Sequence, residues 1–274
     1  MKKAIIVPNY LKRESVEFCQ TAKEMLCALG YDICVLSESE MVAPKADFAI
    51  VLGGDGTILR ACKKLYMLDI PLLGINFGNL GFLTACNPDT AIESINKVVN
   101  GNYETENRIM LKCRVLRGGK EIDSFVALNE VTLFRSTSRK AISAEVYING
   151  MHVESILGDG VIVATPTGST SYNMSAGGAV LMPESDSMVI TPLSPMRFVC
   201  SSIVTQADDD IEIRVKINTT LDVIKASLEI DGNSSFDIYD GDILKIEKVD
   251  KYAKIIKVDD TSFYHILRKK LSKE

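Results

Sequence analysis

Gly53-Gly54-Asp55-Gly56-Thr57 is the stretch of this 274-residue chain best equipped for chemistry. An apolar run, Phe48 to Leu52, stops at the glycines, and Ile58, Leu59, Ala61, Cys62 and Leu65 follow at helical spacing. A strand that turns through glycines into a helix exposes backbone N–H groups, and these suit a phosphate. An acid in such a turn is a poor phosphate ligand, because its charge repels the incoming oxygens. Asp55 therefore reads as a base for a hydroxyl, as a Mg²⁺ ligand, or as both. The plainer alternative is a helix N-cap in a tight turn.

A second glycine-rich constellation spans residues 158–178, with Gly158, Gly160, Gly168, Gly177 and Gly178 among Thr165, Thr167, Ser169, Thr170, Ser171, Tyr172 and Ser175. Thr165-Pro166-Thr167-Gly168 is a stiff turn followed by dense hydroxyls, able to hydrogen-bond a polar ligand without carrying charge. The alternative is a Ser/Thr-rich surface turn with local hydrogen bonds. Asn129-Glu130 is the third element, interrupting what reads as one apolar strand, Phe125–Phe134. Neighbouring strand residues point to opposite faces, so alternation explains one polar residue there but not both. A carboxylate beside a carboxamide suits a ribose diol and a base edge.

Two kinds of element must position these groups. Over the first hundred residues, apolar runs at 3–8, 31–36, 48–52 and 71–76 alternate with helical patterns at 13–29, after Asp55, and at 89–99. Strand–helix repeats of this length predict a parallel sheet with right-handed crossovers, whose ligands collect at the C-terminal strand ends. Both Gly53–Thr57 and Asn76–Gly81 fall at that edge. From about 103 to 258 the chain carries short β-rich runs separated by turns, which predicts an all-β domain, a sandwich. Residues 263–271 read as a closing helix with Phe263, Ile266, Leu267 and Leu271 on one face. The expected division is 1–103, 104–258 and 259–274, with the C-terminal helix packing back on the N-terminal domain.

Composition narrows the function classes. The net charge is −5, from 31 basic and 36 acidic residues. This argues against a nucleic-acid groove, since phosphate-backbone binding needs a basic face. No apolar run reaches the roughly 18 residues of a membrane span, and the opening Met1-Lys2-Lys3-Ala4 is too short a lead for a signal peptide. Seven scattered cysteines without a CxxC pair read as reduced thiols of a cytoplasmic protein. Only two histidines, His152 and His265, are present, so a His-rich zinc site is not expected. No GxxxxGK[ST] motif occurs, which excludes a P-loop donor site.

Taken in order, these motifs resemble the NAD kinase family, of the bacterial ATP- or polyphosphate-dependent type. The resemblance rests on Gly53–Thr57, residues 76–84 (NFGNLGFLT), Asn129-Glu130, Gly158-Asp159-Gly160, the run Thr165 to Tyr172, Gly177-Gly178 and the segment from Phe263 to Leu271. The first motif is shared with diacylglycerol-type lipid kinases; the Thr-Pro-Thr-Gly-Ser-Thr run is more specific. A lipid kinase would need a membrane-docking helix or basic patch, and none is read here. A non-catalytic dinucleotide sensor would have no need of Asp55.

The resemblance implies a Rossmann-like N-terminal domain and a β-sandwich, with phosphoryl transfer from ATP or polyphosphate to the adenosine 2′-hydroxyl of NAD. It further implies Mg²⁺ or another divalent cation, and a homodimer or homotetramer. Residue by residue, it gives Asp55 the part of general base, with Gly53, Gly54, Gly56 and Thr57 as the phosphate-donor loop. Asp55, Gly56, Asn129, Glu130, Lys140, Thr167, Thr170, Ser171, Tyr172, Asn173, Met174, Ser175 and Asn233 match the NAD pocket. Asp159 matches a residue near the nicotinamide end, in some members reaching across the subunit interface. Three positions depart from the common pattern: Leu157 replaces a basic residue, Met196 the histidine of a Pro-His pair, and Asn233 a glutamine.

Overall fold

The chain begins with β1 (Lys2–Pro8), α1 (Arg13–Ala28), β2 (Tyr31–Val35), β3 (Phe48–Leu52), α2 (Asp55–Leu65), β4 (Leu72–Ile75), α3 (Ala91–Val99) and β5 (Glu104–Arg108). This is a computed structural model, and it describes every residue except 1, 38–42, 79–80, 137–140, 198–199, 218–225, 260 and 273–274. The first four strands pair in parallel in the order β2-β1-β3-β4. All of β3 and β4 is buried, as in a parallel sheet that helices cover on both faces. Continuous apolar runs such as FAIVL form because no side of such a strand meets water. Helix α1 buries Ser15, Cys19, Ala22 and Leu26, one residue per turn, against this sheet.

Next come β6 (Leu111–Arg117), β7 (Lys120–Ala127), β8 (Glu130–Arg135), β9 (Ile142–Ile148), β10 (Met151–Gly158), β11 (Gly160–Ala164), α4 (Tyr172–Ser175), β12 (Ser187–Leu193) and β13 (Ile203–Gln206). They are followed by β14 (Ile211–Lys216), β15 (Ala226–Ile230), β16 (Ser234–Ile238) and β17 (Ile243–Lys248). These strands form two antiparallel sheets, β10-β9-β14-β17-β6-β7 and β13-β12-β11-β8-β15-β16. In the first sheet β6, β9 and β14 alternate buried with less buried residues, so one face is solvated. The second sheet has no such face at its centre, where β11 is buried throughout. Its far side is covered by Ala176, Ala179 and Leu181, which pack on Ile162, Ala164, Val189 and Leu193. The sheets meet where β6 approaches β8 and β9 approaches β11.

The last elements, β18 (Ala253–Lys257) and α5 (Phe263–Leu271), belong with the first ones. Strand β18 lies parallel to β4 and antiparallel to β5, giving the order β2-β1-β3-β4-β18-β5. The two compact units are therefore Met1–Arg108 with Lys251–Glu274, and Ile109–Asp250. This differs from the expected division at 103 and 258. Residues 104–108 and 253–257 pair with each other and extend the parallel sheet, so both leave the all-β unit. The segment 259–274 is likewise part of the first unit rather than separate.

The strand expected at 125–134 is two strands. Strand β7 ends at Ala127 in one sheet and β8 starts at Glu130 in the other, so the chain changes sheet at Leu128-Asn129. Corners of this kind are how a sandwich passes a strand between layers. The polar pair Asn129-Glu130 thus marks a corner, not an interrupted strand.

Candidate active site

Asp55 is the first residue of α2, and the capping position is held by Gly54, which has no side chain to cap with. The carboxylate turns away from its own helix. Oδ2 accepts the amide N–H of Phe82 at 2.9 Å and Oδ1 that of Leu83 at 3.0 Å. Lys270 of α5 brings Nζ to 3.8 Å from Oδ2 and to 4.6 Å from the Phe82 ring centroid. Phe263, at the start of α5, lies 5.8 Å from Phe82 between ring centroids. The N-cap reading of Asp55 is therefore set aside. The carboxylate is half-buried, held by a loop and approached by a cation.

Two local features make that placement possible. Gly81 has no Cβ where one would fall 2.1 Å from Asp55 Oδ1, so the carboxylate can lie against the backbone of the 81–83 loop. The turn after β3 is tied down separately. Gly53 N–H donates to Ile75 O at 2.9 Å, and Asn9, following β1, donates from Nδ2 to Thr57 Oγ1 at 3.3 Å. Ser15 Oγ donates to Leu52 O at 2.8 Å and accepts the Asn9 N–H at 2.9 Å. Thr57 is buried while Gly56 is exposed, so within the expected donor loop Thr57 serves the fold and Gly56 faces outward. A separate cavity of about 310 Å³ in this unit, with Thr84, Lys257, His265 and Lys269 among its lining residues, does not include Asp55. Asn79 and Leu80 of the expected 76–84 motif lie outside the described residues.

In the second unit, Asn129, Glu130, the 165–175 segment and the 231–233 turn gather at one end of the second sheet. Glu130 pairs with Ala164 and Val131 with Ile230 in register, which fixes this arrangement. The corner is tied by Thr165, whose N–H donates to Asn129 O at 2.9 Å and whose Oγ1 donates to Leu128 O at 2.6 Å. Gly168 lets the loop pass close to it, since a Cβ there would fall 2.2 Å from Asn129 O. Tyr172 is 46% exposed, and Ser175 is exposed as well. Thr170, Ser171 and Met174 are partly exposed, Thr167 and Glu130 are buried, and Asn233 is exposed on its turn.

Of three further expected positions, Asn173 differs from the expected role. Asn173 is fully buried: its Nδ2 donates to Ser169 O at 3.1 Å and Ala179 O at 3.0 Å, and its Oδ1 accepts Thr191 Oγ1 at 2.6 Å. Its amide builds the loop and is not presented to a ligand. Asp159 sits where β10 passes to β11, at the opposite end of β11 from Thr165, roughly 20 Å away at 3.3 Å per residue. There it accepts Arg135 Nε at 2.5 Å, and its carbonyl accepts the Arg135 N–H at 2.8 Å. Lys140 lies outside the described residues. The two departing residues nearest Asp159 are neighbours, since Met196 N–H donates to Leu157 O at 2.8 Å, and both side chains are exposed.

Sequence reasoning missed Lys270, Arg135 and Asp231. The partners of all three, Asp55 for Lys270, Asp159 for Arg135 and the 128–130 amides for Asp231, lie far along the chain.

The family model described as the ATP-NAD kinase N-terminal domain matches residues 36–103, and that of the ATP-NAD kinase C-terminal domain matches 128–258. The NAD kinase of Lachnoclostridium phytofermentans is 37% identical over 281 residues, covering 98% of this chain and 99% of that protein. That of Carboxydothermus hydrogenoformans is 40% identical over 239 residues, covering 87% and 84%. Among solved structures, an NAD kinase from Archaeoglobus fulgidus in complex with ATP superposes with a TM-score of 0.77 at 28% identity, covering 98% of this chain and 99% of that one. Yeast NADH kinase complexed with NADH, at 20% identity and a TM-score of 0.83 over 100% of this chain and 88% of that one, shares the fold. With both domain models matched and full-length relatives above 30% identity, this chain belongs to the NAD kinase family.

Proposed function

We propose that the protein transfers the terminal phosphoryl group of ATP to the 2′-hydroxyl of the adenosine ribose of NAD, giving NADP and ADP, with Asp55 as general base. The observation that carries the base is the carboxylate held by the Phe82 and Leu83 amides beside a glycine turn at a helix N-terminus. Each carboxylate oxygen spends one acceptor site on an amide and keeps another. A ribose hydroxyl can therefore hydrogen-bond to it and give up its proton as the oxygen attacks the γ-phosphorus. The bond from that phosphorus to the bridging oxygen breaks, and ADP leaves. Phosphoryl transfer needs alignment and charge neutralisation more than covalent chemistry, and a fixed carboxylate supplies alignment. Tyr172, Asn129, Glu130 and the partly exposed hydroxyls of 167–175 are the proposed NAD contacts.

Among the described residues no three His, Cys, Asp or Glu side chains cluster as metal ligands. One carboxylate together with substrate phosphates fits the way Mg²⁺ is usually held in kinases. Asp55 and the phosphates would hold such an ion, which neutralises charge on the donor. Assembly as a homodimer or homotetramer and a cytoplasmic location belong to the same reading, supported by family membership. No helix among the described residues is long and apolar enough to cross a membrane.

Incubating the purified protein with NAD, Mg²⁺ and either ATP or polyphosphate, and measuring NADP, tests the reading. NADP from ATP is expected; no NADP from either donor would refute it.

A further inference from the structure

Asp231 is a buried carboxylate that no part of the proposed chemistry uses. It is 5% exposed, between β15 and β16, with φ of +52°. Its Oδ1 accepts the N–H of Asn129 at 2.8 Å and of Glu130 at 3.1 Å, and its Oδ2 accepts the N–H of Leu128 at 3.1 Å. Its own N–H donates back to Glu130 O at 3.0 Å. Three consecutive amides at the point where the chain leaves one sheet for the other thus converge on one side chain about a hundred residues away. Amides at such a corner have no ladder partner, and a buried N–H left alone is costly. The carboxylate answers that need while fixing which way the corner faces.

We propose that Asp231 is a positioning residue for NAD: it sets the backbone of Leu128-Asn129-Glu130 so that Asn129 and Glu130 face the dinucleotide. The inference rests on the proposed placement of Asn129 and Glu130 in the NAD pocket. Neighbouring turns reinforce the geometry, because Asn233 Nδ2 donates to the Asp231 carbonyl at 2.7 Å and Thr165 holds the Asn129 carbonyl from the other side. Charge is part of the design. A carboxylate accepts all three donors, whereas a carboxamide offers one oxygen and turns an NH₂ toward an N–H.

The test uses Asp231→Asn and Asp231→Gly in the full chain. Asparagine tolerates a left-handed backbone and changes only the acceptor set; glycine removes the side chain with no strain at φ +52°. For both, KM for NAD should rise about tenfold or more, while kcat and KM for ATP stay within about twofold of wild type. In a double-mutant cycle, Asn129→Ala should add less to the KM of Asp231→Asn than it does to that of wild type. Unchanged KM for NAD, strictly additive effects, or loss of folding in both variants would overturn the proposal. Wild type is assayed beside them: an inactive wild type would refute the proposed reaction, whereas an active one with indifferent variants would refute only the role of Asp231.

Discussion

Asp55 and Asp231 show the same physics at the residue scale. Each is a carboxylate that grips amides of a segment distant in sequence, one at Phe82 and Leu83, the other at Leu128 to Glu130. The difference is burial: Asp55 is partly open, and Asp231 is closed off. Only the first can meet a substrate. Gly81 belongs to the Asp55 site although it carries no functional group. Gly81→Ala would place a methyl 2.1 Å from Oδ1 and force the carboxylate or the loop aside. A misplacement of that size is expected to lower kcat about 10²-fold, with thermal stability changed far less than by a core substitution. Steady-state kinetics beside a melting curve checks this, and a wild-type kcat would show that the carboxylate position is not demanding.

At the scale of elements, how much could be read in advance depended on how local the cause was. FAIVL was legible as a buried strand because every residue is apolar, and it is β3 without shift. The glycine turn and α2 followed from their own residues, as did α5 over 263–271. Strand β5, Glu104–Arg108, was not legible, since ETENR is a mostly exposed edge strand with no apolar pattern. The break between β7 and β8 was hidden too: an apolar run does not record a change of sheet, and the carboxylate that stabilises the corner comes from residue 231. For the site, residue types were readable but orientation was not. Asn173 sits inside the hydroxyl-rich run yet spends its amide on Ser169, Ala179 and Thr191. Asn173→Ala is therefore expected to lower stability by about 1–3 kcal/mol through unpaired buried groups, measured by urea unfolding. A stable variant with only a weaker NAD interaction would instead return Asn173 to the ligand.

Across the whole molecule, identity along nearly the full chain and two matched domains place the reaction class, while a net charge of −5 leaves recognition to local donors. Stability should depend on pH through a buried thiol. Burial pushes Cys113, in β6, up to about 12 from an ordinary value of 9.0. Below pH 9 the thiol is protonated in both folded and unfolded chains, so its contribution is full and constant. Between 9 and 12 only the unfolded chain ionises, and stability falls by about 1.4 kcal/mol per pH unit from this group. Cys113→Ala should remove that share of the alkaline slope, seen as urea midpoints that decline less steeply above pH 9; equal slopes would show that the thiol does not report burial. The central claim concerns Asp55 as the base in NADP formation. Turnover of Asp55→Asn, measured with ATP, Mg²⁺ and saturating NAD, tests it most directly. A fall of about 10²–10⁴-fold with KM for NAD near wild type is the expected result, and turnover equal to wild type would contradict it.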